Sequence, residues 1–304
     1  MLKEFYEYGI GNTPVVELPK SNGNRILLKL EMRNFLGSIK ARTAYWIVKN
    51  LPPEAKNRII VESSSGNLGY ALGYFCKENA LSFICLIDDS ITKKKREYLE
   101  NAEIEYICVK QEAGFDLRNS RIRKAERMMA GGKYYWVNQY DNPFGVMAHE
   151  KTTGPEIWKQ TDGSITHLVC PMGSGGTIIG TGKYLKRMSE KIKIVGVEPF
   201  GSTIYGTVEK TYINAGMGLT GKPGNILHNN NVVDDSYTIT DQESISLARM
   251  LWNDLGLNVG ISSGTAYAGA LRIAARETGA TILAIAPDGG DAYEEYLKCS
   301  ALDN

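Results

Sequence analysis

A primary amine held out of water loses proton affinity and becomes a nucleophile toward carbonyl groups. Lys40 is placed where a chain can do this. It lies in Gly37-Ser38-Ile39-Lys40-Ala41-Arg42, after the apolar run Arg25-Ile26-Leu27-Leu28-Lys29-Leu30-Glu31-Met32. The following Ala44-Tyr45-Trp46-Ile47-Val48 is apolar enough for a packed helix. A strand that breaks at a Gly-Ser turn and releases a helix is a common mount for a reactive group. A lysine at a helix start is nevertheless a solvated charge in most proteins, so its neighbours decide the reading.

Two turns supply them. Ser63-Ser64-Ser65-Gly66-Asn67-Leu68-Gly69 follows the strand-like Arg58-Ile59-Ile60-Val61-Glu62 and precedes an apolar stretch. Its backbone N–H groups and small hydroxyls suit a carboxylate or another anion. The same composition also makes an ordinary capped turn. Gly173-Ser174-Gly175-Gly176-Thr177 follows Thr166-His167-Leu168-Val169-Cys170-Pro171-Met172, which has a strand pattern. Glycines let backbone approach a phosphate, and a helix start adds free N–H groups and a positive dipole end. The spacing is not that of a P-loop, since Gly182-Lys183 is followed by Tyr184. Nor is it a dinucleotide fingerprint, since Ile178 stands where the third glycine belongs. It reads as a cup for one phosphate.

Together these segments resemble the fold-type II pyridoxal phosphate (PLP) enzymes, and within them the cysteine synthase (O-acetylserine sulfhydrylase) family. Gly11-Asn12-Thr13-Pro14, the Gly37-to-Arg42 element, the Ser64-to-Gly69 loop, the Gly173-to-Thr177 loop and Gly260-Ile261-Ser262-Ser263-Gly264 all match family motifs, in order, across essentially the whole chain. The resemblance implies roles. Lys40 would hold PLP and later move the substrate α-proton. Asn67 would hydrogen-bond the ring hydroxyl oxygen of the cofactor. Ser64, Ser65, Gly66 and the backbone around Asn67 would bind the substrate carboxylate with Gln139. Gly173, Ser174, Gly175, Gly176 and Thr177 would bind the phosphate. Ser262 would face the pyridine nitrogen. A serine there does not protonate the ring as an aspartate would, which suits elimination across Cα–Cβ better than transamination.

The chain departs from the pattern in places. Ala41 replaces the usual Asp after the lysine, Phe35 the usual Pro of the preceding turn, and Leu68 the loop threonine; Tyr140 stands where many relatives have Phe. Residues 201–206 and 287–293 are closer to a branch that joins O-phosphoserine to the amine of glutamate, giving the precursor of 2,3-diaminopropionate. An amino-acid nucleophile needs partners for its own carboxylates, for which Arg33 and Arg42 are the sequence's loose candidates.

The elements that must position these groups alternate. Strand-like runs at 82–87, 104–109, 192–197 and 281–286 are separated by helix-like stretches such as 93–101 and 242–255. That pattern argues α/β layers with mostly parallel sheets, and the length of 304 residues argues two domains. By resemblance these are two three-layer α/β domains of tryptophan synthase β-like architecture. Residues 38–142 would form the smaller, mobile one, residues 1–37 and 143–304 the larger, with PLP between them. The glycine-dense stretch 214–225 reads as a loop, and by resemblance it lies where the family has a flexible active-site wall.

A formal net charge of +1 argues against nucleic acid or an anionic membrane as partner. The runs Lys93-Lys94-Lys95-Arg96 and 118–127 are interleaved with or flanked by glutamates and read as solvated helix faces. No run of about eighteen apolar residues exists to span a membrane, and the charged start lacks a secretory h-region. The five cysteines show no paired spacing and read as core residues in a reducing compartment. The three histidines are scattered, with no metal-ligand cluster. These features fit a cytoplasmic protein, and the resemblance implies a homodimer acting on small amino acids.

The expected reaction is PLP-dependent β-replacement on an O-activated L-serine, O-acetyl- or O-phosphoserine, through an α-aminoacrylate, with sulfide as the favoured nucleophile. The rivals are glutamate as nucleophile, a serine/threonine dehydratase-type elimination, a catalytically dead regulatory homologue, and a nucleotide-binding dehydrogenase. The intact Lys40, phosphate loop and Ser262 argue against the dead homologue, and the glycine spacing argues against the dehydrogenase.

Overall fold

The computed structural model describes residues 1–214 and 216–298; Cys299 and Ala215 of the expected wall loop lie outside the described residues. The strands are β1 (Val15–Ser21), β2 (Asn24–Leu30), β3 (Ile59–Ser63), β4 (Phe83–Ile87), β5 (Tyr106–Cys108), β6 (Tyr134–Trp136), β7 (His167–Pro171), β8 (Lys193–Pro199), β9 (Asp235–Ile239) and β10 (Thr281–Ala286). They form a six-stranded sheet in the order β1-β2-β10-β7-β8-β9 and a four-stranded sheet in the order β5-β4-β3-β6. Every pairing is parallel except β1 with β2. That hairpin turns on Asn22-Gly23, both at positive φ, as a two-residue turn between right-twisted strands requires.

Both faces of each sheet are covered, which is why the parallel strands are apolar without alternation. In the large sheet Ile26, Leu28, Val169, Val195, Ile282 and Ala284 pack into one core with Ala266, Ala270 and Ile273 of the helix Ile261–Ala274. Their neighbours Leu27, Leu168, Cys170, Ile194 and Leu283 pack into another with Ile178 and Ile179 of the helix Gly176–Met188. In the small sheet Ile60, Cys85 and Ile87 meet the helices Lys40–Lys49 and Asn67–Glu78. Val61, Ile84 and Leu86 meet Ala125 and Met128 of the helix Leu117–Ala130. The expected helix 93–101 is Lys93–Asn101, and that at 242–255 is Asp241–Leu255.

Arg42 differs from its expected role. It is fully buried and donates to Glu31 Oε2 at 2.7 Å and to Glu156 Oε1 and Oε2 at 2.7 Å each. Thr13 Oγ1 donates to Glu31 Oε1 (2.7 Å), and Lys29 Nζ lies 3.0 Å from Glu156 Oε2. A buried network survives only when each charge is compensated; here two cations face two carboxylates. Arg42 therefore fixes the start of the Lys40 helix and offers no free donor to a substrate carboxylate. The Gly11-to-Pro14 motif is part of this anchor.

Candidate active site

In parallel α/β sheets ligands bind beyond the carboxyl ends of the strands. The loops that leave β2, β3, β7 and β10 at those ends converge on one cavity of about 600 Å³. Lys40, Ser64, Ser65, Gly66, Asn67, Gln139, Gly173, Ser174 and Ser262 line it. Gly175 and Thr177 line a small recess that continues from Lys40, Gly173 and Ser262. Gly176 lines neither. It begins the helix Gly176–Met188, and a Cβ there would stand 3.2 Å from the Gly145 carbonyl oxygen.

Lys40 is the first residue of its helix. Its amine is held below the ordinary lysine value, chiefly by burial, against weaker opposing effects of Cys170, Asp288 and Glu62. A neutral amine is the form that attacks a carbonyl or takes a proton.

The serine loop is stapled through its own hydroxyl oxygens. Ser64 Oγ accepts from Gly69 N (3.0 Å), and Ser65 Oγ accepts from Asp88 N (3.1 Å). Each keeps an O–H to donate. Leu68, in the place of the usual threonine, is buried in the core beneath the loop. Gln139 donates Nε2 to the Ser63 carbonyl (3.0 Å), and its backbone N donates to Glu62 Oε2 (3.0 Å). Glu62 is buried and also accepts from Ser63 N (2.6 Å) and Trp136 Nε1 (3.3 Å). Burial pushes its carboxyl up to about 7, while those N–H donors pull it down.

The glycine loop is held from two sides. Gly175 sits at φ +84°, and a Cβ there would meet Ile226 Cγ1 at 2.6 Å. Asn225 Nδ2 bridges the Ser174 and Gln139 carbonyls at 2.8 Å each, so it ties this loop to the opposite wall. Thr177 Oγ1 lies 3.2 Å from His149 Nε2, and Thr43 Oγ1 lies 3.1 Å from the same nitrogen. Burial depresses the His149 pKa well below its ordinary value, so this imidazole is neutral. It lies in a π-turn, His149–Thr153, a local distortion frequent at functional sites.

Sequence reasoning missed several lining residues. Lys95 and Arg121 were expected on solvated faces; both are buried. Lys95 Nζ donates to Tyr293 OH (2.7 Å), which donates to Asp288 Oδ2 (3.0 Å). Asn67 Nδ2 donates to the same oxygen at 2.7 Å. Arg121 Nε pairs with Asp88 Oδ2 at 2.6 Å. The clue lay in spacing: Lys95 stands four residues before Leu99, and Arg121 four before Ala125, so each shares a face with a core residue. Arg33 is exposed and lines a neighbouring hollow that shares Asn67 and Asp288 with the cavity, but it does not line the cavity itself. Cys76, Cys85 and Cys170 are buried, and Cys108 is half-buried. Among the described residues no group of three metal-ligating side chains occurs, and no helix is long and apolar enough to cross a membrane.

Comparison with known proteins decides the family. The model of the family "Pyridoxal-phosphate dependent enzyme" matches residues 6–288. The chain belongs to that family. It is a PLP-dependent enzyme, and its relatives narrow the class. It is 35% identical over 295 residues to cysteine synthase B of Salmonella typhimurium (strain LT2), covering 94% of this chain and 93% of the relative. The cysteine synthase of Entamoeba histolytica superposes with a TM-score of 0.85 at 30% identity, covering 97% of this chain and 89% of that one. The O-acetylserine-dependent cystathionine β-synthase of Helicobacter pylori superposes with a TM-score of 0.86 at 30% identity, covering 94% and 95%.

The residues present fit the cofactor. An amine of lowered proton affinity, a glycine-opened helix start and the Ser262 hydroxyl share one recess.

Proposed function

We propose that the enzyme carries out β-replacement on an O-activated L-serine, with sulfide as the nucleophile. The carrying observation is that Lys40, with its depressed proton affinity, opens into the cavity shared by the serine loop, Gln139 and Ser262. The cysteine synthase relatives support the same reaction.

PLP, when bound, supplies an electron sink that weakens the Cα–H and Cβ–O bonds of an amino acid. Lys40 would hold the cofactor, and as a neutral amine it would take the α-proton. Ser64, Ser65 and Gly66, with the backbone N–H of Asn67 at the start of a twelve-residue helix, receive the substrate carboxylate. Gln139 adds the amide N–H that Ser63 does not use. Gly173, Ser174, Gly175, Gly176 and Thr177 take the phosphate, with the free N–H groups of the helix start as donors. Asn67 would donate to the ring hydroxyl oxygen of the cofactor, and Ser262 would serve the ring nitrogen as a neutral partner. In the same reading residues 38–142 move as a unit against residues 1–37 and 143–304, and the enzyme works as a cytoplasmic homodimer.

The test offers the holoenzyme O-acetylserine or O-phosphoserine, with sulfide or glutamate in turn, and weighs the products by mass spectrometry. Cysteine as the faster product is expected. A serine–glutamate adduct formed faster than cysteine overturns the choice of nucleophile. Pyruvate and ammonia regardless of nucleophile overturn β-replacement in favour of elimination.

A further inference from the structure

The cavity wall beyond the serine loop carries cations that sulfide and an acetyl ester do not need. Arg118 and Arg121 project from one helix at a spacing of three, so they share a face, and both line the cavity. Arg121 is 6% exposed. Its Nε stands 2.6 Å from Asp88 Oδ2 as an ion pair, yet neither Nε nor Nη1, both buried, makes a well-aligned hydrogen bond among the described residues. The other Asp88 oxygen is already taken by Ser90 N (2.9 Å) and Ser90 Oγ (2.5 Å). Arg118 donates Nη1 to the Gly218 carbonyl (2.5 Å), and Tyr212 lines the cavity with it. Among the described residues it has no ion-pair partner. Arg118 lies within electrostatic reach of the Tyr140 phenol, and both line the cavity together with Ser63 and Ser64. Lys95 completes the wall, near Gly66: a Cβ on that glycine would stand 3.8 Å from Lys95 Nζ.

The acidic groups on the same wall are hydrogen-bonded to other residues, although Asp116 also acts on Arg118 electrostatically and Asp88 pairs with Arg121. Asp116 accepts from Asn119 N and Asn119 Nδ2, Glu209 from Thr220 Oγ1, and Asp288 from Asn67 and Tyr293. A buried guanidinium N–H without an acceptor is costly. A planar fork of such donors matches the oxygens of a phosphate or a carboxylate.

We infer that Arg118 and Arg121 form an anion subsite beside the serine loop, which takes a phosphate or carboxylate carried by a reactant in addition to the α-carboxylate. The inference rests on the β-replacement reading for its place in the reaction, but not for the binding itself. Two sources share this chemistry: the phosphate of O-phosphoserine as leaving group, and a side-chain carboxylate of an amino-acid nucleophile such as glutamate.

The test uses the holoenzyme with Arg118→Gln and Arg121→Lys; the lysine keeps a charge for Asp88 and removes the orphan Nη1. The phosphate source predicts that KM for O-phosphoserine rises about tenfold or more. KM for O-acetylserine with sulfide should stay within about twofold of the parent's. The carboxylate source predicts that KM for glutamate rises instead, with O-acetylserine as partner. Calorimetry with inorganic phosphate and with glutarate reads the subsite without turnover, and both variants should weaken one of these titrations. Arg-dependent anion binding in an enzyme that performs no β-replacement would sink the function and leave the subsite standing. If the parent binds neither anion and every kinetic arm is unchanged in the variants, or all arms fall equally, the subsite is wrong.

Discussion

Asn67 Nδ2 donates to Asp288 Oδ2 at 2.7 Å, which ties the helix after β3 to the loop after β10. Asp288 is buried, and Tyr293 OH donates to the same oxygen. Gly260 leaves the room, since a Cβ there would stand 2.2 Å from Asp288 Oδ1. The carboxylate therefore orients the asparagine amide whose expected place is at the ring hydroxyl of the cofactor.

Asp288→Ala should free that amide and strand Tyr293 and Lys95 around a missing charge. Hydrogen bonds to charged groups contribute roughly 1.5–3 kcal/mol each. PLP affinity should fall by about one to two orders of magnitude on that scale, with Asp288→Asn milder because one acceptor remains. Titration of apo-protein with PLP, followed by absorbance, reads this directly. Equal affinity in all three proteins would show that Asn67 is not positioned through Asp288.

Lys40→Ala should abolish turnover and remove the borohydride-fixable attachment of the cofactor, while the protein stays folded. The native state holds the Lys40 proton more weakly than the unfolded chain does. Deleting that desolvated amine should therefore leave the melting temperature of the apo-protein equal or higher. A borohydride-reduced adduct at another lysine with near-parent activity would remove Lys40 from its role.

At the glycine loop two effects separate by position. Gly176→Leu should weaken PLP binding by several kcal/mol, since several charge-assisted bonds of roughly 1.5–3 kcal/mol each are disturbed. Its first side-chain atom also presses on the Gly145 carbonyl at 3.2 Å. Gly175→Ala should lower stability even in the apo-protein, because φ is +84° and Ile226 fills the space. Melting the apo-forms and titrating PLP into each distinguishes the two. A Gly176→Leu protein with parent PLP affinity would take this residue out of the phosphate site.

Much of this architecture was legible because apolar runs and Gly/Ser turns are local signals. The run 281–286 is β10 to the residue, and Lys40 opens its helix as its turn implies. What the sequence hid was long-range compensation. Nothing beside Arg42 announces that Glu156 will meet it across the fold. The Lys93–Arg96 run looks solvated until the Lys95–Leu99 face docks on Tyr293. Asp288 belongs to a stretch read only as a branch marker, because its partner Asn67 is far away in the chain.

Ser262 lines the cavity at the start of the helix Ile261–Ala274. Ser262→Asp should place a carboxylate against the ring nitrogen and strengthen the electron sink. Slower β-replacement with more racemisation or transamination is expected. Ser262→Ala should change rates only modestly, by a neutral hydrogen bond of about 1 kcal/mol. A Ser262→Asp protein with parent spectra and rates would place this serine away from the ring.

Glu62 gives the site a pH dependence whose sign can be worked out. Its carboxyl, buried beneath the serine loop, is raised from 4.5 to about 7 in the folded protein. The native state therefore binds this proton more tightly than the unfolded chain, and the stability it contributes is lost as pH rises from about 4.5 through 7. The shift corresponds to something on the order of 3 kcal/mol. Function runs the opposite way. All of its hydrogen-bond partners are N–H donors, among them Gln139 N. Protonation replaces an acceptor by a donor and should loosen Gln139 beside the substrate carboxylate. KM for the serine substrate should therefore rise as pH falls below about 7. Glu62→Gln imitates the protonated form, so its KM should be high and independent of pH, and its stability should lack the decline seen in the parent. Measuring KM and urea unfolding for both proteins on either side of neutrality checks the two signs together. A parent KM that is flat across that range, or a Glu62→Gln protein that keeps the parent pH profile, would show that Glu62 does not govern the loop.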